Sequence, residues 1–172
     1  VDPAGVTAYT PDMPLLPVPK KMVQPMPGEG GFFVPAEKIS FSIAGLDGDD
    51  TEIDRLARAV ARVWAKMGVD AELTKSANAA LKITISEQAP VENDEGYALD
   101  VQPETISVIS KTPRGAFYAL QSLRTTKAQC GEMTDWPDLD MRATLVMVDS
   151  DSLRVQKEFI DKLYTPGKIN TS

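Results

Sequence analysis

Carboxylates, two tryptophans and a single thiol are what this sequence offers to chemistry. Histidine is absent, and Cys130 is the only cysteine. Without imidazole there is no Ser-His-Asp or Cys-His nucleophile system, no His-Glu-x-x-His zinc site and no histidine acid–base work. One thiol cannot build a thiolate zinc site or an internal disulfide. Gly28-Glu29-Gly30-Gly31 lacks the Gly-Lys-Ser/Thr ending of a phosphate loop. Asp47-Gly48-Asp49-Asp50 lacks the twelve-residue frame and closing glutamate of a calcium loop, so it reads as a solvated turn. No cofactor and no metal are expected. The acidic run with Glu87, Glu92, Asp94 and Glu95 reads as a solvated loop. Trp64 could act as a sugar platform, but it falls on the core-facing side of a helix, where packing is the expected role.

The bulk numbers narrow the partners. The chain has 172 residues, 42% hydrophobic and 25% charged, enough for one globular domain with its own core. A net charge of −7 opposes nucleic-acid binding, which needs clustered Lys and Arg, and opposes an anionic membrane surface. No apolar run approaches the roughly 18 residues needed to span a bilayer. A chain that folds without disulfides suits the cytosol and a cysteine-poor export route equally.

The elements follow from periodicity. Residues 1–30 carry seven prolines, from Pro3 to Pro27, and read as an extended arm with at most one short edge strand. The arm has neither a basic nor an apolar signal-peptide region; it fits a mature start left after cleavage. Gly31–Pro35 and Lys38–Ile43 read as short strands. A helix opens at Thr51, with Asp54 completing an approximate capping box. Ile53, Leu56, Ala57, Val60, Val63, Trp64 and Met67 line one face of it, and Gly68 is its natural stop. Leu81–Ser86 alternates as a strand. Tyr97–Gln102 and Ile106–Lys111 form a hairpin that runs into a second helix, with Thr112 as N-cap and Pro113 at the first helical position. Residues 125–134 are polar and read as loop. Ala143–Val148 is uniformly apolar, as in a parallel strand buried on both faces.

The middle of the chain carries a family resemblance. Glu95-Gly96-Tyr97-Ala98-Leu99-Asp100-Val101, then the isoleucine strand, then Arg114-Gly115-Ala116-Phe117-Tyr118-Ala119-Leu120-Gln121-Ser122-Leu123, resembles the non-catalytic α/β domain that precedes the barrel in glycoside hydrolase family 20, the β-N-acetylhexosaminidases. Leu16-Pro17-Val18-Pro19 resembles the entry to that domain. Asp135, Pro137, Leu139 and Arg142 match the spacing of the family's linker into its barrel, with Asp138 and Ala143 departing from the pattern. Ile160-Asp161 and Lys168-Ile169-Asn170 are similar to its first barrel helix. Asp149 lies seven residues after Arg142, two more than the family's aspartate, and Arg154 does not clearly match the family's downstream arginine.

The resemblance implies an α+β fold: a mostly antiparallel sheet covered on one face by two helices, in the order β-α-β-β-β-α, followed by the first strand and helix of an incomplete (β/α)8 barrel. The expected division is an arm over 1–30, an accessory domain over 31–134, and a linker with the first barrel unit over 135–172. The implied function is the N-terminal portion of a β-N-acetylhexosaminidase-like glycosidase acting on glycans with terminal N-acetylhexosamine. In that family the substrate's 2-acetamido group is the nucleophile, an Asp orients it and a Glu is the acid. That Asp-Glu pair falls beyond the matched residues, so no activity is expected of this chain alone. Arg142 alone inherits a role, binding hydroxyls of the non-reducing-end sugar through its planar fork of donors. The other reading is a structural arginine paired with Asp140 or Asp149. A periplasmic or secreted location and self-association through the unpaired Ala143–Val148 strand are further expectations. A stand-alone glycan- or protein-binding module is the alternative.

Overall fold

The computed structural model describes residues 19–23, 31, 33, 37–46, 48–126 and 128–138. They form one seven-stranded sheet and two helices: β1 (Lys21–Val23), β2 (Lys38–Ala44), α1 (Asp50–Lys66), β3 (Asp70–Leu73), β4 (Leu81–Ile85), β5 (Tyr97–Val101), β6 (Ile106–Ser110), α2 (Pro113–Thr125) and β7 (Gly131–Asp135). The spatial order is β1-β7-β5-β6-β4-β2-β3. The α+β fold with two helices on a sheet is therefore as expected, and the expected barrel start lies outside the described residues.

One feature of the expectation is corrected: the sheet is evenly mixed, not mostly antiparallel. Three pairings are antiparallel, β1–β7, β7–β5 and β5–β6. Three are parallel, β6–β4, β4–β2 and β2–β3. The connections explain the split. A helix between two adjacent strands returns the chain in the same direction, which makes β2 and β3 parallel across α1. The β5–β6 hairpin folds so that β6, not β5, meets β4. α2 then carries the chain past β5, and β7 pairs antiparallel to β5 on its other edge.

Burial alternates along the central strands. Leu81, Ile83 and Ile85 of β4, Tyr97, Leu99 and Val101 of β5, and Ile106, Val108 and Ser110 of β6 face the core. α2 packs on β4, β5 and β6, and α1 packs beside α2 and against β3. Leu56, Val60, Val63 and Trp64 supply the buried stripe of α1, each worth about 1.5–3 kcal/mol before entropy is counted. Among the described residues no helix is long and apolar enough to cross a membrane.

Local chemistry sets the helix ends. α1 starts earlier than the sequence reading places it. Asp49, not Thr51, is its N-cap, and the Asp49 carboxylate accepts from the Glu52 amide at 3.0 Å. A carboxylate at the positive end of a helix dipole outcompetes a hydroxyl two residues on. α2 starts as read: Thr112 is the N-cap, accepting from Gly115 N at 3.3 Å, with Pro113 following. Two strands had no clear sequence signal. β7 occupies the stretch read as loop, because only Met133 and Asp135 of its five residues are buried. β3 is a charged edge strand with no buried residue. Gly31 and Phe33, read within a strand, are irregular; they are held instead by backbone bonds from Phe33 N to Ala128 O and from Cys130 N to Gly31 O.

Candidate functional site

The two helices begin side by side, and a cavity of about 550 Å³ opens between their first turns. Leu56, Ala59 and Phe117 give it an apolar floor. Its rim carries Glu52 and Arg55 from α1, Arg114 from α2, and Asp94 and Glu95 from the loop before β5. Four of the five rim charges are paired. Arg55 bonds Glu52 at 2.5 Å and Arg114 bonds Glu95 at 3.1 Å. No side chain that lines it is a nucleophile with a partnered base. Chemically it is an apolar hollow with fixed charge of both signs around it, suited to receiving a surface or ligand rather than to bond breaking. Among the described residues no group of three or more Asp, Glu, His or Cys could hold a metal ion.

The acidic side chains of the loop that forms part of this rim are largely solvated as expected, with Glu87, Glu92 and Asp94 exposed, but the loop itself is anchored. Ala89, Val91 and Gly96 are buried. Thr112 Oγ1 donates to Asp94 O at 2.5 Å, and Lys111 Nζ donates to Glu92 O at 3.3 Å. Asn93 Oδ1 accepts from Glu95 N at 3.1 Å, a side-chain turn that bends the loop locally. The loop is thus tied to the start of α2 by backbone acceptors, which a count of acidic side chains does not reveal. The Asn93-Asp94 pair was the available signal.

Behind the helices lies a buried polar cluster. The Tyr97 hydroxyl sits 2.6 Å from Ser122 Oγ, 3.4 Å from Asp135 Oδ2 and 3.5 Å from Met133 Sδ. A phenol has one proton, and an ionised carboxylate only accepts. With Ser122 donating to the phenol oxygen, the phenol proton is available to Asp135, and the cluster is satisfied in one direction. Burial, followed by the neighbouring Asp135 charge, pushes the Tyr97 hydroxyl well above its ordinary value. Tyr97 is therefore a neutral structural hydroxyl across the physiological range.

The other candidates resolve unevenly. Trp64 is buried and packs edge-on against Phe33, with ring centroids 5.8 Å apart, so it is core and not a sugar platform. Arg142 lies outside the described residues, as do Asp140, Asp149 and the Ala143–Val148 run. Of the linker positions, Asp135 ends β7 inside the core, and Pro137 is half-buried.

The comparisons agree with this architecture. Residues 12–136 match the family described as glycosyl hydrolase family 20, domain 2. No curated protein matches the chain in sequence. Among solved structures it is similar to a Streptomyces plicatus β-hexosaminidase mutant in complex with product GlcNAc, at 18% identity and a TM-score of 0.70, over 90% of this chain and 33% of that one. It is also similar to a Flavobacterium johnsoniae chitobiase, at 21% identity and a TM-score of 0.62, over 88% of this chain and 25% of that one. A Bacteroides fragilis β-N-acetylhexosaminidase matches at 25% identity and a TM-score of 0.56, over 75% of this chain and 25% of that one. The chain spans a quarter to a third of these relatives. With the family match running through nearly the whole sheet and both helices, the chain belongs to glycosyl hydrolase family 20, as its domain 2.

Proposed function

We propose that this chain is the accessory portion of a β-N-acetylhexosaminidase-like glycosidase that acts on glycans ending in N-acetylhexosamine. One observation carries the reading: the domain 2 match over residues 12–136. The solved relatives named above, whose descriptions are hexosaminidase and chitobiase, support it. In this reading residues 1–30 are an arm, 31–134 the accessory domain, and 135–172 the linker with the first unit of a barrel. The arm and the linker both reach the sheet, because β1 pairs with β7 and Asp135 closes β7.

Arg142 is the sugar-binding residue in this proposal. Its guanidinium presents donors in a fixed plane, which suits vicinal hydroxyls. The sheet domain supplies scaffold and no catalytic carboxylate, so the chain alone does not hydrolyse. The site of action is periplasmic or extracellular, where such glycans are met. The apolar Ala143–Val148 run drives self-association when it lacks strand neighbours.

The test is an assay of the pure 172-residue chain on an aryl N-acetyl-β-glucosaminide, beside sedimentation of the same sample. Expected are no turnover above the buffer rate and a mass above monomer. Turnover by this chain would overturn the accessory reading. A strictly monomeric chain at high concentration would overturn self-association and leave the family reading standing.

A further inference from the structure

Three side chains from three separate parts of the fold converge on the four residues that leave the sheet. Tyr97 of β5 reaches Asp135 Oδ2 at 3.4 Å. Asn93 of the loop before β5 donates from Nδ2 to the Pro137 carbonyl at 3.1 Å. Lys20, just before β1, forms an ion pair with Asp138. Asn93 is the most informative of the three, because its two ends do different work. Its Oδ1 holds the turn through Glu95 N, while its Nδ2 reaches across 44 residues of sequence to Pro137. A surface asparagine that only shaped its own loop would need just the first bond.

We propose that Asn93, Tyr97 and Lys20 form a clamp on Asp135–Asp138 that fixes the direction in which the chain leaves β7, which makes them positioning residues for the segment that carries Arg142. Arg142 follows Asp138 by four positions. A hydroxyl-binding guanidinium is useful only if its backbone is delivered to one place, since a misplacement of about 1 Å erodes such contacts. The clamp acts from both sides of the departing strand: β1 and β5 flank β7 in the sheet, and Lys20 and Tyr97 come from those two flanks. Asn93 closes it at the loop. The purpose assigned to the clamp rests on the sugar-binding reading of Arg142, but its existence does not.

The 172-residue chain tests it. Asn93→Asp keeps the acceptor for Glu95 N and removes the donor to Pro137 O, so the turn survives while the clamp opens. Amide hydrogen exchange is read by mass spectrometry. Expected is about a tenfold faster exchange at Trp136 and Asp138, the size of one lost hydrogen bond in a local opening. Exchange at Glu95, β4, β6 and α2 stays unchanged, and so does the melting temperature. Trp136 gives a second readout: with Trp64 shielded in the core and Trp136 half-buried, acrylamide quenching of the Trp136 indole rises in the variant. Lys20→Met, on the outside of the molecule, gives a smaller rise at the same amides. Unchanged exchange at Trp136 and Asp138 in both variants would overturn the clamp. So would a rise shared equally by β4, β6 and α2, since that marks general destabilisation. Calorimetric titration of N-acetylglucosamine into Arg142→Ala and the unsubstituted chain tests the sugar reading separately, so either can fail alone.

Discussion

The two helices of this domain start within reach of one cavity, yet they are held by different physics. α1 begins in solvent. Its cap is an exposed carboxylate, its outer face carries Arg55, Arg58 and Arg62, and one apolar stripe faces inward. α2 begins half-buried against the loop before β5 and runs into the core. Eight of its thirteen residues are buried, including Gly115, Gln121 and Ser122. α1 is fastened by the area it buries, which tolerates small shifts. α2 is fastened by close backbone contact and polar satisfaction, which do not. The lesson is that apolar burial alone does not separate the helices, since α1 buries Leu56, Val60, Val63 and Trp64 and α2 buries Ala116, Tyr118, Ala119, Leu120 and Leu123; what separates them is that the loop before β5 and the Tyr97 hydroxyl are bonded to α2.

The largest effect that separates them is expected at glycine. A Cβ on Gly115 would lie 2.3 Å from Gly96 O and 3.0 Å from the Ser110 Cβ. Neither is the end of a flexible side chain, so α2 must lift off the loop. Gly115→Ala is expected to lose about 3 kcal/mol. Gly68, at the end of α1, has a φ of +80° but nothing within 4 Å of its added Cβ. Gly68→Ala is expected to lose only about 1 kcal/mol, the left-handed backbone term. Urea denaturation of the two variants checks the ratio. Equal losses would show that the contact at Gly115 relaxes cheaply and would erase the contrast.

The caps offer a smaller version of the same comparison. Asp49→Ala removes one acceptor from an exposed helix start, with an expected loss of about 0.5 kcal/mol. Thr112→Ala removes an acceptor for Gly115 N and also the hydroxyl that donates to Asp94 O. Its expected loss is about 2 kcal/mol, because the loop loses its tie along with the helix. A Thr112→Ser variant keeps both bonds and should recover most of that. If Thr112→Ala and Asp49→Ala are equally mild, α2 is not the reference for the loop.

How much of this was legible depended on whether an element announces itself by period or by contact. α1 and the β5–β6 hairpin did so by period. α2 did so by Thr112-Pro113 and by the apolar helical face of Ala116, Phe117, Leu120 and Leu123, and its family pattern located the fold as a whole. β7 did not, because Gly131-Glu132-Met133-Thr134-Asp135 has one buried apolar side chain, and its strand character comes from hydrogen-bonding neighbours on both edges. β3 escaped notice because none of its residues is buried and its strand character comes from pairing with β2 alone at the edge of the sheet. The mixed sheet was missed because strand direction depends on which hairpin partner meets β4, and no local pattern encodes that. In the candidate site the charges of the 87–95 loop were read correctly as solvated at Glu87, Glu92 and Asp94, but its attachments were not legible, since they run through carbonyls of Glu92 and Asp94, which every residue has. The Asn93–Pro137 bond joins residues far apart in sequence and leaves no local trace.

The buried hydroxyl behind α2 predicts an alkaline signature that α1 lacks. Tyr97 has its proton affinity raised in the folded state by burial and by Asp135. A group with a raised folded value contributes its full stability below the unfolded value, near pH 10 for tyrosine, and loses it as pH rises beyond that. Stability should therefore fall by about 1.4 kcal/mol per pH unit above pH 10 through this one group. Tyr97→Phe removes that slope while losing about 1 kcal/mol at pH 7 through the bonds to Ser122 and Asp135. Urea midpoints from pH 8 to pH 11 for both chains give the difference directly. Parallel curves would mean that the hydroxyl is reached by water and that the cluster behind α2 is not sealed.

The smallest effect is expected at the free edge on the α1 side. Lys38 of β2 and Glu72 of β3 pair at 2.6 Å across the last parallel register of the sheet. The Glu72 carboxylate holds the Lys38 ammonium above its ordinary value, and Lys38 holds Glu72 below its own. Both side chains are about three-fifths exposed, at 61% and 62%. At such a surface, water and salt screen the attraction, and ordering two long side chains offsets most of what remains. Lys38→Met should leave the urea midpoint where it is, at low salt and at high. β3 would then be held by its backbone pairing with β2 and by α1 lying against it, the burial that governs this half of the molecule. A midpoint that drops in Lys38→Met at low salt and recovers nothing at high salt would move the α1 side into the same class as α2, where specific polar contacts decide.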